Sequence, residues 1–582
     1  MASNTPSQDL DQLRHSAAHL LAAAILQLWP EAKPTIGPPT EDGFYYDFEF
    51  PEAISEKDLL RIEKRMKQLL PTWKQFSHKE VTPQEAKEFF AYNLYKQELV
   101  DEIAGRGETI TLYTAGEFTD LCRGGHVDEP SKQLKSFKLL SVAGAYWRGD
   151  ENNAMLTRIY GTAFPTQEEL ERYVTNLEEA KKRDHRKLGQ QLDLFTFSSL
   201  VGSGLPLFTP RGTIVRNELK SFIWELQLRQ GYQEVTIPHL AKSDLYKTSG
   251  HWDKFKEDLF HVKGRSSDEF VIKPMNCPHH TQIYASKQRS YRELPLRLAE
   301  VTTVYRDEQA GELQGLTRVR SITQDDAHVF CRPDQIEEEI DRIVTIINEF
   351  YGVFDFSLAY QLSLRDPEQP DKYLGDAIIW EQSQNALRDV LKRKGIDFTE
   401  AIGEAAFYGP KIDMVAKDSL GRPWQLATIQ LDFNMPARFE LTYIDQQNDS
   451  KTPVMIHRAI SGSLERFMAV LIENYAGDLP LWLSPAQVVV LPISDEQHTY
   501  SEEVTVALQA AGIRAELDAR SESIGKKIRA AEVSKTPVMF VIGKKETDAQ
   551  SVAVRTRSQG DRGPMKLADI IAELSQAIKN RS

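Results

Sequence analysis

A strand-like apolar run through Leu298, Val301 and Val304 leads into Arg306 and Glu308. A short Gly/Glu/Gln stretch and Arg318 follow, then a second strand-like run ends at His328. Two antiparallel strands joined by such a loop set Arg306, Glu308, Arg318, Gln324 and Asp326 along one floor. Guanidinium forks match phosphate oxygens two at a time, so two arginines on that floor suit a polyphosphate. Further alternating runs at Phe407–Asp413 and Gln425–Phe433 extend the same pattern, which reads as an antiparallel sheet backed by helices.

With 582 residues, 41% of them apolar and 27% charged, the chain is long enough for several domains. No apolar run approaches the ~20 residues of a membrane span, and the first residues lack the basic and apolar regions of a secretion signal; the cytoplasm is the expected location, with no membrane partner. The cysteines Cys122, Cys277 and Cys331 form no close pair, so a disulfide framework is not expected. A formal charge of −14 disfavours a general nucleic-acid coat, though it leaves room for a local site that reads one RNA.

Four segments are expected. Residues 1–165 mix short helices and strands. Residues 166–193 open with Thr166 and Glu169 as a capping box and read as a highly charged linker helix running to Gln191. Residues 194–482 form the central unit, with a long amphipathic helix up to Gln230 and a strand closing at Pro238. Residues 483–582 show a β-α-β-α-β series, which predicts a small parallel sheet flanked by helices. The fold class is thus multi-domain α+β and α/β.

The central motifs resemble those of class II aminoacyl-tRNA synthetases, and the Thr323-Gln324-Asp325-Asp326-Ala327-His328 ending is similar to the threonyl-tRNA synthetase family. The resemblance makes 194–482 the catalytic domain, with helix 213–230 and the strand to Pro238 at a homodimer interface. It implies that Arg306 holds the α-phosphate of ATP, Glu308 the adenine side, and Arg318 and Arg466 the β- and γ-phosphates. Gln425 and Gln430 are assigned to the same nucleotide site, and ATP is expected with Mg2+. Cationic groups there lower the barrier as charge gathers on the α-phosphorus.

Cys277, His328 and His457 lie 51 and 129 residues apart, too far to form a local metal motif. The resemblance makes them ligands of one Zn2+ per subunit, leaving an open position for substrate. Threonine and valine differ by a hydroxyl against a methyl, which an apolar pocket separates by only about 10²-fold; a metal contacted by amine and hydroxyl solves that problem. By resemblance Asp326 accepts the substrate hydroxyl, Gln324, Tyr408 and Lys411 line the pocket, and His251 lies near the tRNA acceptor end. His279 stands where relatives have glycine, which puts an extra imidazole beside the expected ion.

Near the N-terminus, His15 and His19 share one helix face, and Cys122 and His126 have the same separation of four. Residue types alone leave open a metal site or ordinary helix histidines. The segment resembles the editing domain shared by threonyl- and alanyl-tRNA synthetases, which implies that these four side chains handle a water that hydrolyses seryl-tRNA, without metal. Serine passes any test of amine and hydroxyl, and its missing methyl is worth only ~1–3 kcal/mol, so a second hydrolytic site is needed. Tyr46, Lys96 and Asp120 match positions beside that pocket, and Gly125 replaces a proline usual in the loop. Relatives carry a small β-rich domain ahead of this one; the residues before His15 are too few to hold it, so it is expected to be absent here.

The last segment is similar to the anticodon-binding domain of class II synthetases, with Arg529, Glu546 and Arg555 implied to face the anticodon and Ser521 in place of an asparagine. The resemblance as a whole implies threonine, ATP and threonine tRNA as partners and ligation of the first to the last. Two other readings are a proofreading hydrolase with an idle synthetase core and an RNA-binding regulator without chemistry. Arg306, Cys277, His328, His457 and Arg466, all retained, speak against the first.

Overall fold

The structure is a computed structural model that describes residues 6–265 and 267–582. It forms two compact units, Met1–Glu178 and Glu179–Ser582. No helix among the described residues is long and apolar enough to cross a membrane.

In the first unit, α1 (Pro6–Leu28) is Ala- and Leu-rich and buries Leu13, Ala17, Leu20, Leu21 and Ala24. A helix this apolar belongs inside a core. It joins residues of the antiparallel sheet made by β1 (Gly43–Glu49), β5 (Ser136–Tyr146) and β6 (Met155–Phe164), with β6 in the middle. A second antiparallel sheet holds β2 (Ser77–Val81), β3 (Ile110–Ala115) and β4 (Phe118–Leu121) in that order. Between β2 and β3 lies α2 (Leu94–Gly105), capped by Asn93.

The expected linker helix is two helices. The first, α3 (Gln167–Arg183), starts at the Thr166–Glu169 capping box, where Thr166 Oγ1 donates to Glu169 at 2.9 Å and accepts from its N–H at 3.2 Å. The boundary between the two units falls inside it. Asp184 leaves helical geometry and caps α4 (His185–Gln191), accepting from Arg186 N–H at 2.8 Å. The capping is what breaks the helix, and α4 is not polar all round: it buries His185, Leu188 and Gly189.

The second unit is built on an eight-stranded sheet. Capped by Thr209, α5 (Pro210–Arg229) buries Val215, Leu219, Phe222, Ile223 and Leu226. The strand expected up to Pro238 pairs only at β7 (Gln233–Glu234); proline has no N–H to continue a ladder. A short helix, α6 (Cys277–Ala285), precedes β8 (Leu296–Tyr305) and β9 (Ser321–Cys331), and α7 (Ile336–Gly352) follows. Next come β10 (Leu358–Leu364), β11 (Phe398–Ile402), β12 (Lys411–Lys417), β13 (Pro423–Asp432), β14 (Val454–Ser463) and α8 (Leu464–Asn474). Sheet order is β7-β8-β9-β14-β13-β12-β10-β11, antiparallel except for the outer pairs β7/β8 and β10/β11.

Ala327, Val329 and Cys331 on β9 join Ile340, Ile343 and Ile347 of α7 and Phe467 and Leu471 of α8 in the core. Side chains alternate along a strand, so Gln324, Asp326 and His328 face the opposite side. Between Gln324 and Asp326 the partner on β14 jumps from Ser463 to Ala459, a bulge on β14. Gly462 sits in it at φ 74°, and a Cβ there would lie 2.5 Å from the Leu426 carbonyl oxygen, so no other residue fits. Arg306, Glu308 and Arg318 lie in the loop between β8 and β9 rather than on the strands.

In the C-terminal sheet the three strands of the expected β-α-β-α-β series are parallel, and two antiparallel strands extend it. Its elements are β15 (Val488–Pro492), α9 (His498–Ala510), β16 (Ala515–Leu517), α10 (Ile524–Val533), β17 (Val538–Ile542), α11 (Lys544–Ala549), β18 (Ser551–Thr556), β19 (Gly560–Lys566) and α12 (Leu567–Lys579). Strand order is β16-β15-β17-β18-β19, with the first three parallel and the last two antiparallel. Parallel neighbours need a long crossover; the six-residue α11 ends in Gln550 at φ 50° and sends the chain straight back.

Candidate active site

Cys277 opens α6, His328 lies on β9 and His457 opposite it on β14. All three are buried, and their ligand atoms lie within 4.8 Å of one another. Each imidazole has one nitrogen tied to a neighbour: His457 Nε2 is 3.1 Å from Asp432 Oδ2, and His328 Nδ1 is 2.7 Å from His280 Nδ1. The other ring nitrogen of each is left to a ligand. Burial first, then His280 and His457, holds His328 well below the ordinary imidazole range, so its lone pair is available. Burial first, then Asp326 and Asp432, pushes the Cys277 thiol well up, so a thiolate there calls for a cation. One thiol and two imidazoles, with room for a fourth ligand, is a donor set that fits zinc.

A cavity of about 350 Å³ surrounds this triad and is lined by His251, Gln324, Asp326, Tyr408, Gln430 and Arg306 among others. Asp326 Oδ2 accepts from Asn276 Nδ2 at 2.9 Å, and Tyr408 OH bonds Gln430 Oε1. His251 Nδ1 is 2.8 Å from Ser249 Oγ, and burial, then His457 and Arg306, lowers its pKa to about 3. Lys411 stands beside this group, opposite Gln430, but its ammonium lies 2.7 Å from Asp413 and it does not line the cavity.

A second cavity, of about 330 Å³, adjoins the first and shares Arg306 and Gln324 with it. Glu308, Arg318, Gln425, Gly462 and Arg466 line it. Arg318 Nε bonds Glu308 at 2.7 Å and its Nη2 bonds Glu312 at 2.9 Å. Arg466 is held below its ordinary value by burial and then by the charges of Arg306 and Arg318. Like charges converging on one cavity are relieved by a polyanion.

Three partners were not visible in the sequence: Asn276 for Asp326, Asp432 for His457 and His280 for His328. The imidazole bonded to a member of the triad is not His279 but its neighbour His280, 2.7 Å from His328. Neither ring nitrogen of His279 has a hydrogen-bond partner among the described residues, and its ring faces Tyr246 at 6.3 Å. Adjacent helix positions point about 100° apart, and only His280 faces the sheet.

In the first unit, His15, His19, Cys122 and His126 bring their ligand atoms within 4.8 Å. Cys122 Sγ lies 3.2 Å from His126 Nε2 and 3.6 Å from His15 Nε2, and Ser16 Oγ is 3.2 Å from His126 Nδ1. Burial first, then His19 and His15, holds His126 at about 2, while burial lifts Cys122 to about 11. A cavity of about 460 Å³ opens beside them, lined also by Tyr46, Lys96 and Asp120. The buried Lys96 ammonium lies 2.5 Å from Asp120, and Tyr46 OH donates to the same carboxylate at 2.5 Å. Gly124 and Gly125 take φ of 95° and 80°. Proline, fixed near −65°, has no access to the path that Gly125 follows.

On the C-terminal sheet, exposed Arg529 lies on α10, the helix whose Glu532 meets Arg555 of β18 at 3.4 Å. Glu546 caps α11 instead of standing free, accepting from Gly543 N–H at 2.9 Å. Ser521 is exposed ahead of α10.

Comparison with known proteins agrees with this architecture. The tRNA synthetase class II core domain (G, H, P, S and T) matches residues 260–475, an anticodon binding domain matches 487–577, and the threonyl and alanyl tRNA synthetase second additional domain matches 110–160. The threonine–tRNA ligase of Cytophaga hutchinsonii is 49% identical over 570 residues, covering 97% of this chain and 88% of that protein. The Deinococcus radiodurans threonine–tRNA ligase is 47% identical over 591 residues, 99% of this chain and 90% of its own. Among solved structures, the RNA binding domain of threonyl-tRNA synthetase from Cryptosporidium parvum superposes with a TM-score of 0.65 at 39% identity, over 68% of this chain and 98% of its own. Identity close to one half, sustained over nearly the full length of both chains, places this protein in the threonyl-tRNA synthetase family.

Proposed function

We propose that the protein ligates threonine to threonine tRNA in the cytoplasm and hydrolyses seryl-tRNA in its first unit. The observation that carries this reading is the pair of adjoining cavities with Arg306 and Gln324 in their common wall. A carboxylate held in the first and the α-phosphate of ATP held in the second meet at Arg306, which stabilises the charge gathering on phosphorus. Arg318 and Arg466 hold the outer phosphates with Mg2+, Glu308 and Gln425 take the adenosine side, and Gln430, opposite Lys411 on the neighbouring strand, lines the first cavity rather than the nucleotide one. A zinc ion held by Cys277, His328 and His457 would supply a Lewis-acid contact to amine and hydroxyl that valine cannot satisfy. Asp326, fixed by Asn276, accepts the hydroxyl proton, and Tyr408 closes the pocket. His251, buried and neutral, stands where the acceptor end of the tRNA arrives.

In the editing pocket, His15, His19, Cys122 and His126 orient a water, and the Lys96–Asp120–Tyr46 group holds the seryl ester. We assign residues 1–165 to editing, 166–193 to the linker, 194–482 to catalysis in a homodimer joined along α5, and 483–582 to the anticodon through Arg529, Arg555 and Glu546. Threonine-dependent ATP–pyrophosphate exchange, with serine and valine alongside and zinc stripped in parallel, tests the core. Exchange with threonine, less with serine, none with valine and loss on stripping is the expected result; no exchange with any amino acid by zinc-loaded protein sinks it.

A further inference from the structure

Asp184, His185 and Glu473 have ligand atoms within 4.8 Å, the spacing of a third metal group, yet their polar atoms are occupied. Asp184 caps α4 and holds the Arg186 guanidinium. Glu473 Oε2 accepts from Arg422 at 2.6 Å, while Oε1 lies 3.1 Å from the His185 backbone N and 2.7 Å from its Nδ1. Leu316 N–H donates to His185 Nε2 at 3.0 Å. Nε2 is therefore the acceptor and Nδ1 carries the proton, aimed at Glu473.

Leu316 belongs to the loop between β8 and β9 that bears Arg306, Glu308 and Arg318. At the next residue, the Thr317 carbonyl accepts from Arg466 Nε at 3.1 Å. Arg466 lies in the first turn of α8 and Glu473 in its last. Two successive loop residues are thus held by opposite ends of one helix, directly by Arg466 and through the imidazole by Glu473. The contact is close: Gly315 takes φ 51°, and a Cβ on it would lie 2.3 Å from His185 Nε2.

We propose that His185 is a positioning residue for the nucleotide, keeping the loop in the one path that turns Arg306 and Arg318 toward Arg466. The inference rests on the reading of those arginines as the ATP site. A buried hydrogen bond to a loop that binds ligand is worth about five- to tenfold in affinity. The test is ATP–pyrophosphate exchange by full-length His185→Leu, His185→Asn, His185→Gln and Arg466→Ala, with melting temperatures measured alongside. Asparagine reaches Glu473 but not Leu316, and it carries the test if the leucine variant does not fold. Glutamine keeps both a donor and an acceptor.

We expect KM for ATP to rise about five- to tenfold in His185→Asn, KM for threonine to stay unchanged, and His185→Gln to recover most of the loss. A parallel rise in both KM values, or a fall in kcat alone that follows the melting temperature, reduces His185 to a fold element and overturns the proposal. If Arg466→Ala raises KM for ATP while His185→Asn does not, the positioning role alone fails. If neither does, the nucleotide reading fails and takes the proposal with it.

Discussion

Asn276 Nδ2 donates to Asp326 Oδ2 across 2.9 Å, joining the residue before Cys277 to the carboxylate one turn of strand from His328. Burial raises the Asp326 carboxyl above its usual range, and this amide is the largest influence opposing the shift. Asn276→Ala is expected to raise KM for threonine about tenfold, the weight of a hydrogen bond to a charged group, and to leave KM for ATP alone. Steady-state pyrophosphate exchange separates the two; an equal rise in both would count against Asp326 as a threonine contact.

Metal content distinguishes the two histidine–cysteine clusters. Cys277→Ala and His457→Ala are expected to lose zinc, measured by atomic emission on purified protein, while Cys122→Ala retains it. In the first unit Cys122 pairs with His126 and His15, and His126 with Ser16, whereas in the second His457 and His328 each bond a neighbour outside the group, Asp432 and His280. Loss of half the zinc on removing Cys122 would show that the editing pocket is a metal site as well.

Lys96 and Asp120 are 2% and 3% exposed at the side chain and 2.5 Å apart. Removing one partner leaves a buried charge uncompensated, at about 3–5 kcal/mol. Lys96→Met is therefore expected to lower the unfolding midpoint of the first unit and to slow deacylation of seryl-tRNA on the order of 100-fold, while threonine activation is retained. Unchanged deacylation would remove this pair from the hydrolytic machinery.

Acid should loosen the first unit. The folded pKa of His126 is lowered to about 2, chiefly by burial, while the unfolded chain titrates near pH 6.5. Below that value the unfolded state binds a proton that the folded state refuses, so stability falls with pH from about 6.5 down toward 2, by up to about 1.4 kcal/mol per pH unit; above it this group contributes no slope. Amide exchange in α1 at about pH 7 and about pH 5 reads the effect, and His126→Gln is expected to flatten it.

What the sequence made legible were residues that sit in motifs carried by the resemblance. Cys277, His328 and His457 come together, and Arg306, Gln324, Gln425 and Arg466 line the two adjoining cavities. The partners that tune them were hidden because no motif marks them: Asp432 is 25 residues from His457, and His280 is 48 from His328. The choice of His280 over its neighbour depends on helix phase against a sheet, which a run of Cys-Pro-His-His does not encode. The break at Asp184 and the antiparallel end of the C-terminal sheet were hidden for another reason. A single capping carboxylate and a single left-handed Gln550 redirected the chain, and neither disturbs the hydrophobic period.

The bulge on β14 acts as a spacer between two kinds of recognition. Asp326, His328, His457 and Ala459 lie on one side of it, and Gln324, Ser463 and Arg466 on the other. The pairing advances four residues along β14 for two along β9 there, so the interval between the two cavities is set by backbone count and not by any side chain. A scaffold divided in this way can exchange the walls of one pocket for those of another substrate while the phosphate-handling half stays in register. Its specificity and its energy source are free to evolve separately.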